Sequence, residues 1–489
     1  MNFLLLFHHL LAALIVAFSV SLAAPTTSAQ NATVDALVYA FPLTSYVNFA
    51  NTGFVVNASN DFATNTFAHV TTLANASFRT IILPNTDTLY SAALVDLSAG
   101  DVVVTMPERE AGRFYVLPVY DLFGNNVCSI GTATDSTAGQ YLIQYRPSDA
   151  GCDLAPVDAK GYAGTVSLPT VYGAILLRIE VYNASDVDHI VSVIQPQFNL
   201  TPLNEPSSGA PPLTSALLND NLDVNNPPLS LLQLLSRVAL FNPAEEASDS
   251  ERVAATLEAA GISFDSQSYT QPAGVDLASA YSAALDLVEQ VPSNPANLLP
   301  LGSSSPSTWS TTLPSLSGDF HTRYDVRAFI GLVAYLQLNS TQAIYPAYTV
   351  TQEFFANTTY MVEFFGKPNV VGFWSLTIYD GDGYLVPNAL NRYSLGDRAN
   401  LTYPDGVSVY GNGASGDEAE SRSFYMLLQS TDVKVASDWE SNWLPTPTDG
   451  AQFLFILRFY GPTLSLTDGT YKYPQISAVD VNPPLPSSE

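Results

Sequence analysis

The spacing of apolar positions changes along the chain and predicts a helix, then alternating strand-rich and helical regions. Apolar side chains recur at near-helical spacing within 33–50, where Pro42 is expected to end or kink the helix. Short β-branched and aromatic runs, separated by Gly, Asp, Asn and Pro, fill 79–182 and about 345–480, as is typical of strands joined by turns. Helical spacing returns at 229–240, 248–260, 276–291 and 324–338. The pattern therefore predicts a mainly β chain with α connectors, in which a helical segment joins two β domains.

Stretches rich in Pro and Ser indicate where these parts meet. They cover 202–230 and 292–318. We therefore expect an N-terminal β domain at 30–200, a linker and helical connector at 201–320, and a C-terminal β domain at 321–482.

One short segment occurs twice. Phe114–Asp121 aligns with Phe373–Asp380, and four of the eight positions are identical. Each copy reads as a strand that ends in Tyr-Asp before a turn containing glycine, Gly124 in one and Gly381 in the other. Either the two β domains are related modules, or the chain contains two similar core strands.

The first residues have the pattern of a signal peptide. Residues 3–22 form an apolar run closed by small residues, although no Lys or Arg precedes it. A signal peptide at 1–23 would end at Ser21–Ala23, and Thr27–Ala29 offers a second cleavage site. An uncleaved membrane anchor is the alternative. No later apolar run is long enough to span a bilayer, so we expect a secreted protein without a stable membrane anchor.

Sequons and cysteines fit an exported glycoprotein. Eight N-x-S/T sequons occur, at Asn31, Asn57, Asn75, Asn183, Asn199, Asn339, Asn357 and Asn400. The chain has only two cysteines, Cys128 and Cys152. In an oxidising compartment a disulfide between them is expected, with two buried free thiols as the alternative.

Charge and motif content exclude several classes of function. The 489 residues carry 45 acidic and 17 basic side chains, a formal net charge of −28. Nucleic acid or anionic lipid would need cationic patches, so neither is an expected partner. The histidines after the signal, His69, His189 and His321, lack metal-ligand spacing, and nucleotide-binding and nucleophile-elbow motifs are missing. We therefore expect no metal and no cofactor.

The few cations are mostly arginines. Five of them lie beside apolar strands, at Arg113, Arg178, Arg392, Arg398 and Arg458. In so acidic a chain each is expected to pair with a carboxylate, although arginine also suits recognition of an anionic group.

Several motif blocks resemble the DUF1254/DUF1214 family. In the first half they are Asn85–Tyr90 and Phe114–Asp121, and in the second they are Phe373–Asp380, Asn391–Arg398 and Leu457–Pro462. The chain departs from the family pattern around 346–360. The resemblance implies two β-sandwich or barrel-like domains joined by helices, often in a homo-oligomer. It implies no settled reaction.

The same blocks supply the candidate site. Candidate catalytic groups are Asp87, Tyr90, Tyr115, Asp121, Arg392, Asp397 and Arg398. A carboxylate would act as base, a tyrosine as acid, and an arginine would hold developing negative charge. Candidate substrate-binding residues are Asn85, Phe373, Trp374, Tyr379, Asn391 and Tyr393.

Three functions remain open at this point. The first is a secreted enzyme, a cofactor-free hydrolase or acid/base enzyme, whose cleft holds a hydrophobic or weakly anionic small molecule. The second is a non-catalytic binding or accessory protein that uses the same cleft. The third, a cell-wall structural glycoprotein, fits poorly because long Ser/Thr tracts and repeats are missing. The first two require that residues from both halves of the chain line one cavity.

Overall fold

The computed structural model describes most of the chain. The described residues are 28–52, 61–79, 82–155, 161–203, 208–303, 307–349, 353–411 and 421–486. The expected signal peptide at 1–23 and the sequon at Asn57 lie outside them.

The N-terminal half is a sandwich of two five-stranded sheets. Its strands are β1 Ala68–His69, β2 Thr88–Asp96, β3 Val102–Met106, β4 Tyr115–Asp121, β5 Asn126–Gly131, β6 Gly139–Tyr145, β7 Gly151–Asp153, β8 Gly164–Leu168, β9 Tyr172–Glu180 and β10 Asn199–Pro202. One sheet has the order β1-β2-β9-β4-β5 and the other β10-β3-β6-β8-β7. Cys128 on β5 and Cys152 on β7 form the expected disulfide, which joins the two sheets.

The register of β2 and β9 determines which side chains point away from the sandwich core. Tyr90 lies opposite Arg178, and Ala92 lies opposite Leu176. Side chains alternate between the two faces of a strand, so these four share one face, while Leu89, Leu177 and Ile179 on the other face belong to the hydrophobic core.

Six α-helices of five or more residues lie within the described part of the chain, and three of them, the first, the fifth and the sixth, cover that outer face. The six are α1 Ser28–Ala50, α2 Ser215–Asn219, α3 Pro227–Val238, α4 Ser250–Ala259, α5 Leu277–Glu289 and α6 Tyr324–Val333. Helix α1 packs against α3, α4, α5 and α6, so the N-terminal helix belongs with the connector helices. In the described part of the chain, none of the helices combines the length and apolarity needed to cross a bilayer.

The helices lie close to where the sequence predicts them. Of the two effects expected at Pro42, an end or a kink, the first does not occur, because α1 continues through the proline to Ala50. The proline ring packs on Gly331 of α6, and the Arg327 guanidinium donates to the carbonyl of Tyr39 at 3.0 Å. This carbonyl is next to that of Val38, which loses its helical partner at Pro42. Tertiary contacts therefore hold the helix together at this point.

The C-terminal half is again built from open sheets. After a short hairpin, β11 Ile262–Ser263 and β12 Ser268–Tyr269, its strands are β13 Leu298–Leu301, β14 Trp309–Thr312, β15 Ala343–Ile344, β16 Ala347–Tyr348, β17 Phe354–Phe355, β18 Thr359–Phe364, β19 Trp374–Asp380, β20 Ser394–Gly396, β21 Phe424–Ser430, β22 Trp443–Thr446, β23 Gln452–Tyr460 and β24 Gln475–Val479. The main sheets have the orders β15-β23-β19-β20 and β22-β21-β18-β24. Within the described residues the sheets stack as sandwiches and none closes into a barrel, which confirms a mainly β, two-domain fold.

The repeated segment occupies equivalent places in the two halves. Strand β4 lies between β9 and β5, and β19 lies between β23 and β20. Val116 of β4 is opposite Arg178, and the aligned Ser375 of β19 is opposite Arg458. The two arginines are therefore equivalent, and the registers support two related modules.

The turns after the repeated strands are also equivalent. The carboxylate of Asp121 accepts the N–H of the residue four positions later at 2.9 Å, and that of Asp380 does the same at 2.8 Å. The glycine equivalent to Gly124 is Gly383 and not Gly381, because each N–H bonds the aspartate carbonyl three residues before it. Both glycines have the positive φ that this turn requires.

Candidate functional site

A cavity of about 700 Å³ lies where the two halves and the helices meet. The outer face of β2 and β9 forms its floor, α1, α5 and α6 form its sides, and the turn after β19 closes one end. Its walls are mostly apolar, with Leu73, Phe78, Leu176, Leu285, Phe329 and Leu332 among them. A cavity with apolar walls and a few polar groups is typical of small-molecule sites.

Four of the polar groups of this cavity come from β2, β9 and the residues just before β2. Asn85, Thr88, Tyr90 and Arg178 line it. Arg178 is only 6% exposed, and its Nη2 donates to the carbonyl of Leu336 at 2.8 Å. Its Nε and Nη1 have no hydrogen-bond partner among the described residues. Burial raises the pKa of Tyr90, so this phenol stays protonated at neutral pH.

The carbonyl that receives Arg178 belongs to a residue in an unusual backbone conformation. Leu336 follows α6 with φ 61°, the left-handed region that costs a branched side chain roughly 1–2 kcal/mol. Its carbonyl also accepts the Tyr120 hydroxyl at 2.7 Å. The end of α6 is therefore fixed against both β4 and β9.

Residues just before β2 bind the C-terminal half. The Asn85 amide donates to the Tyr460 hydroxyl. Asp87, only 3% exposed, accepts Arg398 Nη2 at 2.6 Å on one carboxylate oxygen and the Ser375 hydroxyl at 2.6 Å on the other. Two of the predicted catalytic residues, Asp87 and Arg398, thus form a buried ion pair between the two halves.

Two more carboxylates surround Arg398. Its Nε lies 3.6 Å from Asp397 and 3.8 Å from Glu180. Burial raises the pKa of Asp397 to about 7, although Arg398 and the N–H of Trp374 lower it. Burial also raises the pKa of Glu180. One guanidinium with three carboxylates favours a proton on one of them.

The other predicted catalytic residues lie away from the cavity. Asp121 accepts backbone N–H groups in the turn after β4, and burial raises its pKa. The Tyr115 hydroxyl donates to a carbonyl at 3.3 Å. Arg392 donates to the carbonyls of Glu440 and Trp443, where we had expected a carboxylate partner.

The predicted binding residues are mostly packed in the protein. Phe373 and Trp374 are fully buried, and the Arg398 guanidinium lies 4.2 Å from the Phe373 ring centre. Buried Tyr379 donates to the carbonyl of Pro84 at 2.8 Å. Asn391 accepts the Tyr393 hydroxyl at 3.2 Å, near the surface.

Of the predicted site residues, Asn85 and Tyr90 line the cavity. The sequence indicated Arg178 only as an arginine beside an apolar strand, and predicted a carboxylate partner for it. That prediction is wrong for the described residues, because none of their carboxylates forms an ion pair with Arg178. The β2–β9 register that places it opposite Tyr90 carries no local sequence signal.

One further cluster could hold a cation. In the described part of the chain, Glu245, Asp319 and His321 bring ligand atoms within 4.8 Å of one another. Burial, with Asp319 and Asp121 nearby, raises the pKa of Glu245 to about 10. A proton on Glu245 therefore satisfies the cluster without an ion. The first and last of these residues are 76 positions apart in the chain, and no metal-ligand spacing predicts the group.

Two family models match the chain, and together they cover both β regions. The first, a protein of unknown function (DUF1254), matches residues 64–202, and the second, a protein of unknown function (DUF1214), matches 342–464. No curated protein matches the chain.

The fold is shared with a solved structure. The VPA0106 protein from Vibrio parahaemolyticus is 19% identical, with a TM-score of 0.60 over 93% of this chain and 100% of that one. A putative uncharacterized protein from Burkholderia cenocepacia is 12% identical, with a TM-score of 0.39 over 89% of this chain and 87% of that one. The first similarity extends the fold across nearly the whole chain, and the motif blocks lie inside the two matched regions. The chain therefore belongs to the DUF1254/DUF1214 family.

Proposed function

We propose that this chain is an exported protein that binds a largely apolar small molecule in the cavity between its two halves. The observation that carries the proposal is the cavity itself, about 700 Å³ with apolar walls and a few convergent polar groups. Residues from the N-terminal sandwich, the helices and the turn after β19 contribute to it.

Binding without chemistry is favoured over hydrolysis because the expected bases are already engaged. Asp87 is held by Arg398 and Ser375, and Asp121 by the turn that it caps. Asp397, with a pKa of about 7, has the value that suits a general base at neutral pH, but it is not part of the cavity wall. Tyr90 does line the cavity, yet its raised pKa makes it a weak acid.

Export is supported by three features. The apolar run at 3–22 has the pattern of a signal peptide. The disulfide between Cys128 and Cys152 suits an oxidising compartment. Six of the seven sequon asparagines that the structure describes are exposed, and Asn339 is half-buried. Attached glycans would be detected as a loss of mass after enzymatic deglycosylation.

The binding proposal can be tested by filling the cavity from α5. Leu285 is half-buried in the cavity wall, and Leu287 on the same helix is 46% exposed outside it. Titration with N-phenylnaphthylamine, a neutral apolar fluorophore, measures occupancy. We expect Leu285→Trp to weaken its binding by roughly tenfold or more, because the indole occupies the ligand's space. The matched variant Leu287→Trp should bind as the wild type does.

Two results would contradict the proposal. Equal binding by Leu285→Trp and Leu287→Trp would put the fluorophore elsewhere. Chemical conversion of a bound compound, detected by mass spectrometry after incubation, would instead support the enzyme hypothesis.

A further inference from the structure

We propose that the cavity is selective for an apolar monocarboxylate, whose carboxylate binds Arg178 while its body lies along the apolar walls. This inference rests on the proposed function, since it names the class of molecule that the cavity takes.

The first step is the state of Arg178. A guanidinium carries five N–H donors and stays protonated in proteins. Arg178 is 94% buried. Its Nη2 donates to the Leu336 carbonyl, while its Nε and Nη1 have no hydrogen-bond partner among the described residues. An unpaired buried cation is unfavourable, so a carboxylate that reaches these nitrogens from the cavity gains a charge-assisted hydrogen bond.

The second step is the comparison with the equivalent arginine of the other module. Arg458 donates from Nη1 to the Thr377 hydroxyl at 2.9 Å and from Nη2 to the Tyr379 hydroxyl at 2.7 Å. The position aligned with Thr377 in β4 is Pro118, which has no hydroxyl. The same buried arginine is therefore satisfied by the protein in one half, while in the other half it lines the cavity and two of its nitrogens have no hydrogen-bond partner among the described residues.

Unpartnered nitrogens alone do not define a site, as Arg327 illustrates. Its Nε and Nη1 also lack hydrogen-bond partners. However, the rings of Tyr39, Phe123 and Tyr324 lie 4.4 to 4.6 Å from its guanidinium, and Asp121 lowers the cost of its charge. Arg178 has no ring stacked on it in the described structure, and it lines a cavity large enough for a ligand.

The charges around the cavity restrict the ligand to a monoanion. Arg178 is the one cation among the described lining residues, and the lining acids, Glu289 and Asp382, are both exposed at the rim. Those acids and the net charge of −28 disfavour a second negative charge on the ligand. Tyr90 lies directly opposite Arg178 on the neighbouring strand, so its phenol is close to the place proposed for the ligand carboxylate.

The test compares two ligands of equal chain length on the full-length protein. Dodecanoate and dodecanol are titrated against bound N-phenylnaphthylamine. For the wild type we expect dodecanoate to displace the fluorophore at roughly tenfold lower concentration than dodecanol. Arg178→Gln should bring the two ligands to about equal affinity, with dodecanol unchanged. The matched variant Arg458→Gln removes the equivalent arginine outside the cavity and should keep the preference.

The results separate the two proposals. If the wild type binds both ligands equally, or if folded Arg178→Gln still prefers dodecanoate, the carboxylate proposal is overturned while the binding proposal stands. If the fluorophore does not bind, or if Leu285→Trp does not weaken it, the binding proposal itself fails. The wild-type comparison needs no variant, so it decides the matter even if Arg178→Gln does not fold.

Discussion

At the scale of single residues, carboxylates outnumber the cation around Arg398. The buried guanidinium is approached by three of them, those of Asp87, Glu180 and Asp397. Like charges in low dielectric cannot all be ionised, and the proton goes to the group with the weakest compensation. Asp397 fits this role, because burial raises its pKa to about 7 and, among the described residues, its carboxylate accepts one hydrogen bond, from the N–H of Trp374 at 3.3 Å.

The stability of the protein should therefore fall as pH rises through this range. Unfolded Asp397 would lose its proton near pH 4, while the folded protein keeps it until about pH 7. Between these values the native state binds more protons, so the free energy of unfolding decreases with pH, by up to roughly 1.4 kcal/mol per unit of pKa difference. We expect Asp397→Asn to be destabilised relative to the wild type at pH 5 and to gain on it by pH 8.

Urea denaturation at pH 5 and pH 8 measures this difference. Asparagine keeps an oxygen for the N–H of Trp374 and cannot ionise, so the variant should lack this part of the pH dependence. A stability difference between variant and wild type that is the same at both pH values would contradict a proton on Asp397.

The sequence identified some of these residues but not their partners. The sequence predicted a site at the polar blocks Asn85–Tyr90 and Asn391–Arg398, since so many polar groups in an apolar context need partners. That Asp87 pairs with Arg398, 311 residues later, depends on how the two halves dock. The sequence did not single out Arg178 as a site residue, because what distinguishes this arginine is that its Nε and Nη1 have no hydrogen-bond partner among the described residues.

At the scale of elements, α1 and α6 make a tight contact at Pro42 and Gly331. A Cβ built on Gly331 would lie 3.1 Å from three atoms of Pro42, two of them Cα and Cβ. Contacts this tight are rare, and Pro42 is held in the interior of α1. Gly331 therefore allows the two helices to approach.

This contact reverses the usual effect of replacing a helical glycine. Alanine in a helix interior normally stabilises by up to about 1 kcal/mol. Here we expect Gly331→Ala to destabilise the protein by roughly 1–3 kcal/mol, because the added methyl group forces α6 away from α1. Chemical denaturation measures the change, and an increase in stability would show that the helices separate at little cost.

Periodicity predicted the positions of the helices better than their continuity. The four connector helices lie within a few residues of the expected positions, since an amphipathic face is a local property of the sequence. Whether Pro42 ends a helix is decided by tertiary contacts with Gly331 and Arg327, which are distant in the sequence. Strand order likewise follows from long-range pairing that no local pattern specifies.

At the scale of the whole molecule, the segment around Asn85–Asp87 fastens the two halves together. The polar contacts of Asn85 and Asp87 with the C-terminal half lie beside an aromatic cluster, in which Phe114 of the first module meets its aligned counterpart Phe373 at 5.8 Å. The sequence predicted both modules, but their interface required the structure, because its contacts join residues far apart in the chain.

Breaking the Asp87–Arg398 pair should uncouple the two halves. Asp87→Asn removes one partner of a buried ion pair, a change that typically costs roughly 3–5 kcal/mol. We expect a lower midpoint in chemical denaturation. Since the ion pair joins the two modules, its loss also weakens their coupling, and we expect the two halves to unfold at different denaturant concentrations.

The tryptophans make this uncoupling measurable. All four, Trp309, Trp374, Trp439 and Trp443, lie in the C-terminal part, so their fluorescence follows that half while far-ultraviolet circular dichroism follows the whole chain. The two transitions should coincide in the wild type and separate in Asp87→Asn. The control is Asp405→Asn, which removes the partner of Arg422 at 2.7 Å in an exposed pair within one half and should change neither transition noticeably. Coincident transitions in Asp87→Asn would mean that the aromatic cluster alone suffices to couple the modules, and that the ion pair only adds to their common stability.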